Sequence, residues 1–218
     1  PDHGSVVSFL LVSLAFAFFL SYDDWGSYSF SLGAGLMNFF LSFVVVLVSF
    51  GFYQAVQRWY AVHWGYRPFH KVWLPGLLVG VLLTVFSNGN VMFFAATGVF
   101  VQHLMFQRLG RWRYWTMYNN LAWVSLSGLI AVAVLAGISK GLLSAFPWGP
   151  LPEYILSRAW VFNIVFLVSN ILPIPPLDGA KLFFYSRMQY VFFFSWFLFY
   201  FLLPGYGFMT VFYSFLVA

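Results

Sequence analysis

One aspartate in this chain stands inside apolar sequence on a frame of prolines: Asn170-Ile-Leu-Pro-Ile-Pro-Pro-Leu-Asp178-Gly179. No other stretch limits the fold as tightly. The prolines remove amide donors and bar a regular helix. Irregular backbone survives at membrane depth only when it is buried in protein or lines a wet cavity. An ionisable residue there is costly, and marks a functional site until shown otherwise. The stretch therefore reads as a broken element that holds Asn170 and Asp178 in place. A proline-rich turn at the membrane surface is the plainer alternative.

Membrane depth is an inference from composition. Only 7% of the 218 residues are charged, 62% are hydrophobic, and the mean hydropathy is +0.87. Soluble domains carry roughly 25% charged residues. These values predict an all-α, multi-pass membrane protein with a single membrane domain. The absence of cysteine excludes disulfides, thiolate metal sites and cysteine nucleophiles. The net charge of +5 is the kind that basic cytoplasmic loops supply, so nucleic acid is not an expected partner.

Along the chain, a first helix is expected over about Val6–Leu20. The same apolar run has the length of a signal-peptide core, but it lacks a basic region before it. The loop Ser21–Ser31 carries Asp23 and Asp24. A second helix is expected over Leu32–His63, ending in an aromatic belt, with Gly65 as its cap and Pro68 as a stop. The apolar runs Val72–Phe86 and Val91–Phe106 are short for full spans and predict a tilted or re-entrant hairpin. The basic cluster Arg108–Arg113 follows. Further helices are expected over Leu121–Ile138, Arg158–Leu172 and Met188–Leu203, with a turn-rich connection Ser139–Ser157 and an apolar tail Phe208–Val217. The total is about six spans. Arg58, Arg67, Lys71, Arg108, Arg111, Arg113, Lys181 and Arg187 fall on one side, which the positive-inside rule makes cytoplasmic. The abundant aromatic residues suit lipid-facing bulk or a surface packed on other membrane proteins.

Asn170-x-x-Pro173-x-Pro175-x-Leu177-Asp178-Gly179 resembles the second signature of the site-2 protease family of intramembrane zinc metalloproteases. Trp73-Leu-Pro-Gly76 to Gly80, Ala95-Ala-Thr-Gly98-Val99 and Ser127-Gly128-Leu129-Ile130 are similar to other parts of that family's core. The resemblance implies a three-helix catalytic core, zinc, and Asp178 as a zinc ligand. It divides the chain into a first helix and loop (1–31), a protease-like core (32–187) and a C-terminal helix and tail (188–218).

The resemblance also implies a His-Glu-x-x-His helix, whose histidines bind zinc and whose glutamate is the general base. The later spacing of Ala61 and Gly65 aligns that motif with Tyr53-Gln54-Ala55-Val56-Gln57. Tyr53 and Gln57 then stand for the histidines and Gln54 for the glutamate. An amide is a poor zinc ligand and cannot take up a proton. His3, His63, His70 and His103 have no partner at the spacing a helix site needs, and Ser125 and Ser127 have no base. The expected site is a polar joint of Tyr53, Gln54, Gln57, Asn170 and Asp178 on the frame Pro173, Pro175, Leu177 and Gly179.

From this follows the expectation of a degenerate, catalytically inactive homologue that is no enzyme. It serves as a structural, accessory or helix-binding subunit of a membrane complex. No metal or cofactor is expected, and the partners are the bilayer and other transmembrane proteins. Two alternatives stay open: an active intramembrane zinc protease with an unorthodox site, and a small transporter or channel-like subunit.

Overall fold

A computed structural model describes residues 3–25, 31–103 and 116–202. Its elements run α1 (His3–Ser21), α2 (Leu32–His63), β1 (Tyr66–Val72), α3 (Leu74–Phe86), β2 (Thr97–His103), α4 (Thr116–Ala145), α5 (Pro150–Ile171), α6 (Asp178–Tyr185) and α7 (Arg187–Leu202). Most of the described chain is helical. Among the described residues three helices are long and apolar enough to cross a membrane: Leu32–His63, Asn119–Ala145 and Pro150–Ile171. This is compatible with an integral membrane protein. The expectation of about six spans is thus met only in part among the described residues, because α1 and α3 are shorter apolar helices. The basic cluster 108–113 and the tail 208–217 lie outside the described residues.

The second helix falls where its apolar run and caps place it. Ser31 caps its start, accepting from the Ala34 amide. Gly65, at φ 76°, follows Trp64 at its end, in the left-handed conformation that glycine adopts without steric cost. At about 1.5 Å per residue α2 is roughly 48 Å long, well beyond a hydrocarbon core of about 30 Å.

Two expectations need correction. The chain is not all-α: β1 and β2 form a two-stranded antiparallel sheet, with Pro68 opposite Val101. Pro68 therefore sits in a strand and does not simply stop a helix. The second apolar run, Val91–Phe106, contains Thr97, Val99 and Val101, β-branched residues that favour strands. An apolar run of that length does not by itself distinguish strand from buried helix. The connection Ser139–Ser157 is also mostly helical. Pro150 opens α5 at its first turn, where the missing amide costs nothing because that N–H has no partner in the helix. Prolines that read as a loop are the start of a helix.

Aromatic rings build the centre of the core. Phe16 of α1 contacts Phe50 (5.7 Å between centroids), Phe94 (5.2 Å) and Phe166 (6.1 Å). Phe94 meets Phe162 edge-on at 5.0 Å, and Tyr53 meets Phe166 at 5.0 Å. Such edge-to-face pairs add about 0.5–1.5 kcal/mol each beyond the area they bury. Many of the aromatic residues thus hold α1, α2 and α5 together, while others, such as Phe40, Phe86 and Phe192, are exposed.

Candidate functional site

The proline frame folds as a break between α5 and α6. Asp178 is the first residue of α6 and only 1% exposed. The Pro175–Pro176 peptide is cis. Gly179 sits so close to the end of α5 that a Cβ there would stand 1.9 Å from the Ile171 carbonyl oxygen. Only glycine lets the chain fold back so tightly.

Three elements converge on Asp178. From α2, Tyr53 donates its hydroxyl to Oδ2, and Gln57 donates its amide to the same oxygen at 2.6 Å. From the next turn of α6, the Lys181 ammonium donates to Oδ1 at 2.7 Å. From β1, His70 Nε2 meets Gln57 Oε1 at 3.1 Å. Because the Gln57 amide nitrogen faces Asp178, its oxygen faces His70, which fits a neutral imidazole donating from Nε2. The order of donation is His70 to Gln57 to Asp178. Tyr53 and Gln57 share a helix face because they are four residues apart. Gly128 of α4 closes the joint from behind: a Cβ there would lie 2.5 Å from Gln57 Nε2 and 2.6 Å from a Tyr53 ring carbon.

The other two expected members lie elsewhere. Gln54 makes no hydrogen bond to Asp178 and lines a groove between α1, α2 and β1. Asn170 donates to the carbonyls of Phe94 (2.9 Å) and Phe166 (2.8 Å). Its neighbour Ser169 accepts from the Phe94 amide at 3.1 Å. Residues 92–96 belong to no helix or strand; the Trp73 amide donates to the Ala96 carbonyl at 2.7 Å, and the buried polar backbone of Phe94 is satisfied by side chains. Asn170 and Ser169 do this for both polar groups of Phe94, which explains why Asn170 is unavailable to Asp178.

Two members were missed by the sequence reading. Lys181 was expected among the cytoplasmic basic residues, yet its side chain is 10% exposed and paired with Asp178. Its i, i+3 spacing from Asp178 on a helix was the available signal. Nothing in the sequence pairs His70 with another polar group. The β1–β2 pairing brings it to Gln57, and no local pattern encodes that contact. Burial lowers the Lys181 ammonium below its ordinary value, and the Asp178 carboxylate pulls it back up. Burial lowers the His70 imidazole from 6.5 to about 4; Asp178 opposes this, while Lys181 and Arg58 add to it.

That shift has a sign. Between about 4 and 6.5 the unfolded chain binds a proton at His70 that the folded chain does not. Stability therefore rises with pH across this window and is lost as pH falls through it. Melting in detergent, followed by tryptophan fluorescence, is expected to drop between pH 6.5 and 4, and His70→Gln is expected to flatten that drop. An unchanged pH profile in His70→Gln would show that another group titrates.

The zinc that the sequence resemblance implies does not fit this donor set. Zinc takes imidazole, thiolate or carboxylate ligands. Here both oxygens of Asp178 already accept from Tyr53, Gln57 and Lys181. An ammonium at 2.7 Å stands where a second cation would be repelled. Among the described residues no three of His, Asp and Glu gather into a metal-binding group.

Comparison with known proteins gives one informative relationship. The chain is 23% identical over 176 residues, 81% of each sequence, to a Methanocaldococcus jannaschii protein named "Putative zinc metalloprotease". No family model matches the chain, and no solved structure matches it significantly. The relationship supports a metalloprotease-like kinship that extends over most of the chain. It also corrects the expectation that the chain is no enzyme, because the relative's name points towards one.

Proposed function

We propose that this chain is a helix-binding subunit of a membrane complex, one that packs a transmembrane segment of a partner against α2. The observation that carries this reading is the two-sided character of α2. One face turns Tyr53 and Gln57 inward to Asp178. The other presents Phe40, Val44, Val48 and Phe52, a ridge at helical spacing that is 42–64% exposed. Only 28% of the apolar window of α2 is buried, against 56% for α4 and 50% for α5. The helix that carries the polar joint is thus the least covered of the three long ones. The joint fixes the position of α2 by hydrogen bonds, which leaves its outer ridge rigid and ready to pack.

Photocrosslinking in native membranes tests this. A benzoylphenylalanine at Val48 is expected to form one discrete protein adduct. The same residue at Leu11, on the exposed face of α1, serves as the control. Lipid adducts alone at Val48, or equal protein adducts at both positions, would count against a specific partner on α2.

A second reading, hydrolysis of the bound segment, is favoured by the name of the Methanocaldococcus relative. Binding precedes any hydrolysis, so the first reading holds whether or not cleavage follows. Cleavage of a model transmembrane substrate that is lost in Asp178→Asn would add the second.

A further inference from the structure

Asp178 is 1% exposed, so its charge needs a cation within reach. The sequence resemblance implies that a zinc ion supplies it, held by the aspartate and by two side chains four residues apart on a helix. This chain keeps that geometry and changes the chemistry. Tyr53 and Gln57 reach Asp178 from the implied positions on α2, but both are neutral, and both donate hydrogen bonds to Oδ2. Neither brings a positive charge.

Lys181 brings it. Its ammonium donates at 2.7 Å to Oδ1, the oxygen that Tyr53 and Gln57 leave to it. The same nitrogen lies 5.7 Å from the centre of the Phe100 ring of β2, a contact that favours a cation. Carboxylate and ring thus hold the ammonium from two elements, and the α2 donors hold the carboxylate in turn. Lys71 stands 5.8 Å from the same ring, but it is an exposed residue of β1. A divalent ion added to the Asp178–Lys181 pair would leave an excess of positive charge at a buried point.

We infer that the Lys181 ammonium is the resident cation of the Asp178 site and takes, in charge, the place of the metal ion that the resemblance implies. Two things then stand between this site and a metal: the side chains on α2 and the ammonium on α6. What packs on the outer ridge of α2 does not bear on this pairing.

Two experiments on the full chain in neutral detergent test the two halves of the inference. Lys181→Ala removes three carbons and the ammonium, and propylammonium has that same length and charge. The variant is expected to melt roughly 10 °C lower than the native chain. Propylammonium is expected to restore a large part of that loss, while tetramethylammonium, a cation without N–H donors, restores none. Lys71→Ala is expected to melt as the native chain does, with or without propylammonium. If Lys181→Ala folds only with propylammonium present, that is the rescue itself; failure to fold even then counts against the site. In the second experiment, Tyr53→His with Gln57→His supplies two imidazoles at a spacing zinc uses. Adding Lys181→Ala to this pair is expected to tighten zinc binding on the order of tenfold or more, read by calorimetric titration. Circular dichroism confirms that the histidine variants are folded. Equal zinc affinity with and without Lys181→Ala, equal rescue by tetramethylammonium, or no rescue by propylammonium would each overturn the assignment.

Discussion

Asp178→Ala is expected to destabilise the purified chain by about 3–5 kcal/mol, the range for removing one partner of a buried ion pair. The substitution strands three groups at once. The Lys181 ammonium, 10% exposed, loses its counter-ion. The Tyr53 hydroxyl and the Gln57 amide lose their acceptor. Each unsatisfied buried group costs about 1–3 kcal/mol. The effect comes from what is left behind, and that makes a second measurement informative. Replacing both Asp178 and Lys181 with leucine removes the stranded charge and is expected to recover part of the loss, as replacing a buried pair with apolar residues often does. Urea unfolding in mild detergent, followed through the ten tryptophans, reads both. A loss below about 1 kcal/mol in Asp178→Ala, the level of an exposed pair, would mean that the joint is wet and weak.

Gly179→Ala is expected to be about as damaging, at roughly 3 kcal/mol or more, the upper range for forcing atoms into packed space. Here the added carbon would meet backbone. It would stand 1.9 Å from the Ile171 oxygen, 2.3 Å from the carbon of that carbonyl and 2.8 Å from the Leu172 oxygen. No rotamer change relieves this, so the end of α5 and the start of α6 must part. The start of α6 carries Asp178 with it, away from Tyr53 and Gln57. The variant is thus expected to lose stability together with the hydrogen bonds of the joint. Gly141, where a Cβ meets nothing within 4 Å, is the matched control. Equal melting of Gly179→Ala and Gly141→Ala would contradict the close approach.

The long apolar helices were legible because length, hydropathy and capping agree for them. α2 is the clearest case, from Ser31 to Gly65. What was not legible depended on contacts distant in sequence. The run Val91–Phe106 has the hydropathy of a helix, and its described part, 91–103, is an irregular stretch and a strand, held by Ser169, Asn170 and β1. Pro150 looked like loop material because its role depends on being in the first turn of a helix. In the candidate site, Tyr53 and Gln57 were placed beside Asp178 by helix spacing and by the alignment of Ala61 and Gly65. Gln54 joins them by the same logic and Asn170 by the proline-framed signature, yet these two face the groove and Phe94. A spacing argument places residues on a helix; it does not say which neighbour claims them. Lys181 and His70 show the converse, since a charge in an apparent loop and a histidine without a sequence partner complete the joint.

The donors on Asp178 occupy the oxygens a zinc ion would need, so metal content is the measurement to make. The chain, purified without chelator and supplied with zinc before extensive washing, is measured by elemental analysis beside Asp178→Asn, which keeps the size of the side chain. The expected result is background zinc in both. One zinc per chain that disappears in Asp178→Asn would contradict the account and place a metal where Lys181, Tyr53 and Gln57 are assigned.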